Sequence, residues 1–156
     1  MKTGGIVLAD EVGLGKTIEA GLTLKYVLDS GAKRVLIALP ATLRKQWEIE
    51  LEEKFGLEST ILDRFTVESE PTGWKIRLED KSKVQIILAS YDYSSKLMKR
   101  FPNVKWDFII IDEAHNLRNV FMAQNVQKGF MTFLKVSRKF CLQLLLYKIP
   151  CQTFMV

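Results

Sequence analysis

Five short apolar runs punctuate the chain: IVLAD at 6–10, RVLIALP at 34–40, STILD at 59–63, VQIILAS at 84–90 and DFIIIDE at 107–113. Each is continuous rather than alternating and ends at a turn former or a charge. That is the pattern of strands covered on both faces, and it predicts a parallel sheet. Two stretches between the runs have helical periodicity, 17–28 and 42–55. In the second, Leu43, Trp47, Leu51 and Phe55 recur every four residues, while Glu48, Glu52 and Glu53 fall on other faces. Ser30-Gly31-Ala32 ends the first helix. The alternation predicts an α/β lobe, a mostly parallel sheet flanked by helices. The segment 68–83, with Pro71, Gly73 and many charges, reads as an excursion or short hairpin before the next core strand.

Length and composition narrow this picture. A chain of 156 residues with 47% hydrophobic and 26% charged residues builds one core. No apolar run approaches the ~20 residues of a membrane span, and Met1-Lys2-Thr3-Gly4-Gly5 opens no signal peptide, so a cytoplasmic location without membrane contact is expected. Cys141 and Cys151 lack metal-ligand spacing and are expected as free thiols. The net charge of +5 is unevenly placed. All 18 acidic residues lie in 1–120, balanced there by lysine and arginine, and the excess is Lys128, Lys135, Arg138, Lys139 and Lys148. From 121 onward the chain has no acid and holds both cysteines, which marks it as a different kind of sequence.

Candidate chemistry begins at LADEVGLGKTIEAGL, 8–22. An apolar strand is followed by a turn carrying Gly13 and Gly15, and Lys16-Thr17 opens a helix. Backbone N–H groups of such a turn close around phosphate oxygens and the helix N-terminus adds partial positive charge. Lys16 can reach the β- and γ-phosphates, and the Thr17 hydroxyl can ligate Mg2+. The general phosphate-loop spelling fails at one place: Asp10 stands where its first glycine belongs.

The second constellation is FIIIDEAHNLRN, 108–119. Four apolar residues deliver Asp112 and Glu113 to the carboxyl end of a strand, where parallel sheets place their ligands. Asp112 can hold the Mg2+ that bridges the phosphates, and Glu113 can orient and deprotonate a water. His115, the only histidine, would stand near the γ-phosphate or a partner domain. Alone, strand-terminal carboxylates are usually solvated; combined with the upstream loop they favour an ATP site.

These motifs resemble those of the Swi/Snf-type ATPases of helicase superfamily two. DEVGLGKT is similar to their motif I, in which Asp-Glu replaces the early glycine, and VGLGKTIEAGL with DEAHNLRN resembles the bacterial and archaeal RapA-like branch. LPATLRKQWEIEL from Leu39 resembles motif Ia, ILASYD from Leu88 segment Ib, and DEAH motif II. The resemblance implies the first of two RecA-like lobes, ATP and Mg2+ as cofactors, and hydrolysis driven by double-stranded DNA with translocation along the duplex. It assigns ATP binding to Asp10, Glu11, Val12, Gly13, Leu14, Gly15, Lys16 and Thr17. Metal ligation falls to Thr17 and Asp112, and catalysis to Lys16, Asp112, Glu113 and His115. Pro40, Thr42, Arg44 and Ser90 become candidate phosphate contacts to DNA, which fix a lobe without reading sequence. Read from the residues alone, Thr42 before an amphipathic helix is also an ordinary N-cap, and Trp47 is a core anchor.

The pattern departs from the family at both ends. Few residues precede motif I, and CLQLLLYKIPC stands where the family has a motif III strand close to Leu-Leu-Thr-Ala-Thr-Pro. Codons permitted by residues 121–156, read in the neighbouring frame, can spell a segment that contains that motif. The expected organisation is therefore a partial lobe at 1–120 and a frameshifted, aberrant tail at 121–156. The tail is expected to leave a strand edge unpaired unless LQLLLY serves as a chance substitute. Two functions follow: a lobe of a DNA-dependent ATPase, or a remnant that binds nucleotide or DNA without turnover.

Overall fold

The computed structural model describes residues 5–8, 16–112 and 141–144. Six parallel strands form one sheet, in the order β1 (Gly5–Leu8), β6 (Cys141–Leu144), β5 (Phe108–Ile111), β2 (Arg34–Leu39), β4 (Gln85–Ser90) and β3 (Thr60–Ile61). The five expected runs are β1 to β5. Alternate residues of the central strands enter two different cores, as the pleat requires. Val35, Ile37, Leu39, Ile86, Leu88, Phe108 and Ile110 pack beneath α1 (Lys16–Asp29) and α2 (Arg44–Phe55). Leu36, Ala38, Ile87, Ala89, Ile109 and Ile111 face the opposite layer, which includes α3 (Arg64–Ser69), α4 (Pro71–Glu79) and α5 (Tyr91–Arg100).

The α2 stripe lies as its spacing predicts: Trp47 and Leu51 are buried, with Leu43 and Phe55 packed partly buried against the same core. Gly56, at φ 63°, ends the helix in the left-handed region and donates its N–H to Glu52 O at 2.9 Å. Gly31, at φ 98°, follows α1.

One expectation is corrected. The segment 68–83 is mostly helical rather than a hairpin: α3 ends at Ser69, and Pro71 occupies the first turn of α4, where its missing N–H costs nothing. Trp74 and Leu78, one turn apart, bury the inner side of α4. The strand slot between β1 and β5 is filled, as the alternative reading of LQLLLY allows. Cys141–Leu144 fills it, pairing Leu142 with Ile6 on one side and Ile110 on the other.

Candidate functional site

All six strands run parallel, so their carboxyl ends share one edge, the usual ligand-binding edge of an open α/β sheet. Leu39 pairs with Ser90 and Ala38 with Ile111. Pro40, Ser90 and Asp112 therefore emerge side by side from β2, β4 and β5. On the other side of the sheet order, β1 ends at Leu8 and α1 opens at Lys16, with Thr17 in its first turn. The connecting Asp10, Glu11, Val12, Gly13, Leu14 and Gly15 lie outside the described residues, as do Glu113 and His115.

Asp112 is held from three directions. Its N–H donates to Ala38 O at 3.0 Å, the Tyr91 hydroxyl donates to its backbone carbonyl, and Trp47 Nε1 donates to Oδ2 at 2.8 Å. Asp112 and Trp47 are both buried. A buried carboxylate needs such partners, because desolvation would otherwise drive it neutral.

Thr17 lies on α1, which packs against the helix that carries Trp47. On that helix the Glu50 carboxylate accepts from Gln46 Nε2 at 2.8 Å and from Lys54 Nζ at 3.0 Å. Burial pushes that carboxyl up, but hydrogen bonds from Gln46 and Lys54 and the Lys54 charge outweigh it and hold Glu50 below its ordinary value. Trp47 was expected only as a core anchor, and Glu50 was not singled out at all.

The side chains fit magnesium. A hydroxyl and a carboxylate are the hard oxygen donors that Mg2+ prefers, and it commonly takes only one or two protein ligands beside phosphates and water. Among the described residues no group of three or more His, Cys, Asp or Glu could hold a metal by itself. When bound, the ion would neutralise phosphate charge. Cavities of about 360 and 530 Å3 lie elsewhere, lined by α4 and α5 residues such as Lys75, Arg100 and Tyr93, and include none of the candidate site residues.

The expected DNA contacts behave differently from one another. The alternative reading of Thr42 as N-cap fails: a 3-10 turn spans Ala41–Leu43, Leu43 takes the capping position of α2 without a side-chain bond, and Thr42 is exposed. Arg44 Nε donates to Ala41 O at 3.1 Å, and its guanidinium stands 4.0 Å from Asp63. Ser90 caps α5, its hydroxyl oxygen accepting from Tyr93 N at 3.3 Å, which leaves the hydroxyl proton to donate.

The SNF2-related domain family matches residues 1–143. The chain belongs to that family. RNA polymerase-associated protein RapA of Vibrio campbellii is 38% identical over 122 residues, which is 72% of this chain and 12% of that protein. RapA of Photobacterium profundum is 40% identical over 121 residues, with the same shares. The SWI2/SNF2 ATPase core of Sulfolobus solfataricus, solved in complex with dsDNA, superposes with a TM-score of 0.60 at 25% identity, covering 96% of this chain and 29% of that one. The Swi/Snf-type resemblance and the RecA-like α/β lobe are thus both established, and the family is one of helicase-like, DNA-dependent ATPases. The chain spans about one eighth of the length of the RapA relatives. No helix among the described residues is long and apolar enough to cross a membrane.

Proposed function

We propose that this chain is the ATP-binding part of lobe one of a DNA translocase, which in its intact parent hydrolyses ATP to move on duplex DNA. The observation that carries this reading is Asp112 at the carboxyl edge of the sheet, its Oδ2 held by Trp47, in a chain whose residues 1–143 match the SNF2-related domain family. The backbone of 10–15 and the α1 N-terminus hold the phosphates, and Lys16 offsets their charge. Thr17 and Asp112 hold Mg2+, which supplies charge neutralisation across the phosphates. Glu113 orients water and takes its proton, and His115 hydrogen-bonds toward the γ-phosphate.

Pro40, Thr42, Arg44 and Ser90 line the same edge for a DNA strand. Thr42 supports this assignment best, because no capping role in the fold explains its hydroxyl. The share of the relatives that the chain covers favours a fragment, and the absence of any acid after residue 120 supports a native lobe at 1–120 followed by a tail read in a shifted frame. The family completes its ATP site with arginines from a second lobe, so turnover by this chain is expected near background, with nucleotide binding retained.

The test is equilibrium binding of Mg·ATP to the full chain, beside hydrolysis with and without duplex DNA. Binding that Lys16→Ala abolishes supports the site; equal binding by Lys16→Ala overturns it. A DNA-stimulated rate that Glu113→Gln removes would make this single lobe a complete enzyme and overturn the fragment reading.

A further inference from the structure

A basic groove runs along α5, in the helical layer opposite α1 and α2. Two cavities of about 530 and 360 Å3 share Arg100 in their linings. The larger lies between α3 and α5, with Arg64, Tyr93, Lys96 and Lys99; the smaller lies between α4 and the end of α5, with Lys75 and Phe101. Tyr93, Lys96 and Arg100 follow one stripe of α5 at spacings of three and four, while Tyr91, Ser94, Ser95 and Leu97 fill its buried side. Arg64 is paired with Glu68 at 2.8 Å. Among the described residues, Lys75, Lys96, Lys99 and Arg100 enter no ion pair. Phe65, next to Arg64 on α3, is 88% exposed. From this arrangement we infer that the α5 groove docks an acidic peptide segment, interspersed with apolar residues, from another protein. The inference is independent of the nucleotide site, whose residues lie outside the groove.

Helix stability alone does not explain these side chains. The dipole of α5 favours cations in its last turn, which accounts for Lys99 and Arg100. It does not account for Lys75 of α4 or for the bare ring of Phe65. Lys96 stands three residues from Lys99 and four from Arg100, spacings at which like charges destabilise a helix, and an acidic partner relieves that repulsion. A peptide fits better than a nucleic acid. Phe101, 6% exposed, lines the groove with Pro71 and Pro102, and Glu68 and Glu79 stand in the same lining. A phosphate backbone uses cations and is repelled by such carboxylates, whereas apolar side chains of a peptide bury against such a floor. Exposed Phe and Arg are also the residues that protein interfaces concentrate. The ten residues of α5 span about 15 Å, the reach of about five extended peptide residues.

The experiment follows the fluorescence anisotropy of a labelled peptide that alternates glutamate and leucine, about ten residues long, on adding the full chain. The variants are Phe65→Ala and the pair Lys96→Glu with Arg100→Glu, all at exposed positions; Lys25→Glu, exposed on α1, is the control. The paired reversal and Phe65→Ala are each expected to weaken binding about 10-fold, and Lys25→Glu less than about 2-fold. No binding by the unmodified chain overturns the inference, and so does an equal loss in Lys25→Glu. A peptide of alternating glutamate and glutamine that binds as tightly would show attraction by charge alone and overturn it as well. Duplex DNA that displaces the peptide, and whose own binding the paired reversal weakens, would assign the groove to nucleic acid instead. Should the paired reversal fail to fold, amide resonances of the unmodified chain decide. The peptide should move signals of 93–100 and leave those of 17–28 in place; stationary signals in 93–100 overturn the inference.

Discussion

Gly21 of α1 lies against the ring of Phe55 of α2 so closely that a Cβ on the glycine would stand 2.2 Å from Phe55 Cε2. Glycine inside a helix ordinarily costs about 1 kcal/mol relative to alanine, so Gly21→Ala would stabilise a free helix. Here the methyl must displace a half-buried aromatic ring, and overpacking of this kind costs about 1–3 kcal/mol. The expected net effect of Gly21→Ala is destabilisation by about 1 kcal/mol. Relief should follow in the Gly21→Ala, Phe55→Leu double variant. Urea unfolding of the four proteins closes the cycle, and a Gly21→Ala variant more stable than the parent would show that the two helices are not in contact there.

Arg34 makes a second prediction. It is a buried cation at the start of β2, donating Nε to Leu78 O at 2.6 Å and NH1 to Lys83 O at 2.7 Å, with NH2 on Asp80 O. It thus satisfies carbonyls at the end of α4 and in the loop that leads to β4. Arg34→Met keeps the stem and strips those carbonyls of their donors, a loss of about 2–4 kcal/mol. Arg34→Lys should recover only part, because one ammonium cannot reproduce the fork. Chemical denaturation of the two variants checks the order.

Much of this fold was legible because burial on both faces writes itself as continuous apolar runs. The runs at 34–40, 84–90 and 107–113 became β2, β4 and β5, and the four-residue recurrence ending at Phe55 became α2. The layer beyond the sheet was less legible. In α5 the buried positions include Ser94 and Ser95, whose polarity hides the helical period. In α3 and α4 the charges of a solvated surface outnumber the few residues, Val67, Trp74 and Leu78, that face inward. For the candidate site, sequence order revealed the strand-end Asp112 and the helix-opening Thr17. It held no sign that Trp47 reaches Asp112, because parallel register alone brings positions so distant together.

Asp63 predicts a dependence on pH. Its carboxylate caps α3, accepting from Thr66 N at 2.9 Å and from the Thr66 hydroxyl at 2.9 Å. That backbone N–H is the main cause of a carboxyl held below its ordinary value, with the Thr66 hydroxyl and the Arg44 charge adding to it against the opposing effect of burial. A depressed carboxyl contributes stability that is present above its unfolded pKa, about 3.9, and is lost as pH falls through the lower folded value. Asp63→Ala should therefore cost about 1 kcal/mol at neutral pH. The gap to the parent should narrow below about pH 4. Unfolding measured from pH 7 to 2.5 tests this, and a constant gap would mean that the charge contributes nothing.

The last prediction concerns β6. Cys141–Leu144 pairs with β1 on one side and β5 on the other, so its backbone sits inside the sheet. A strand read in a shifted frame would keep those hydrogen bonds, since apolar residues suffice to occupy the slot. Its side chains would not have been selected for the cores above and below, and packing sets how readily a strand opens. Hydrogen exchange on the purified chain should therefore rank β6 amides as protected, yet faster than those of β2, whose six residues are all buried. Leu142→Pro, which removes a ladder N–H from an interior strand, should cost about 3 kcal/mol. Amides of 141–144 exchanging like a free peptide would remove β6 from the fold. Protection equal to that of β2, joined to a coding sequence that cannot spell motif III in either neighbouring frame around codon 120, would make the tail native and end the frameshift reading.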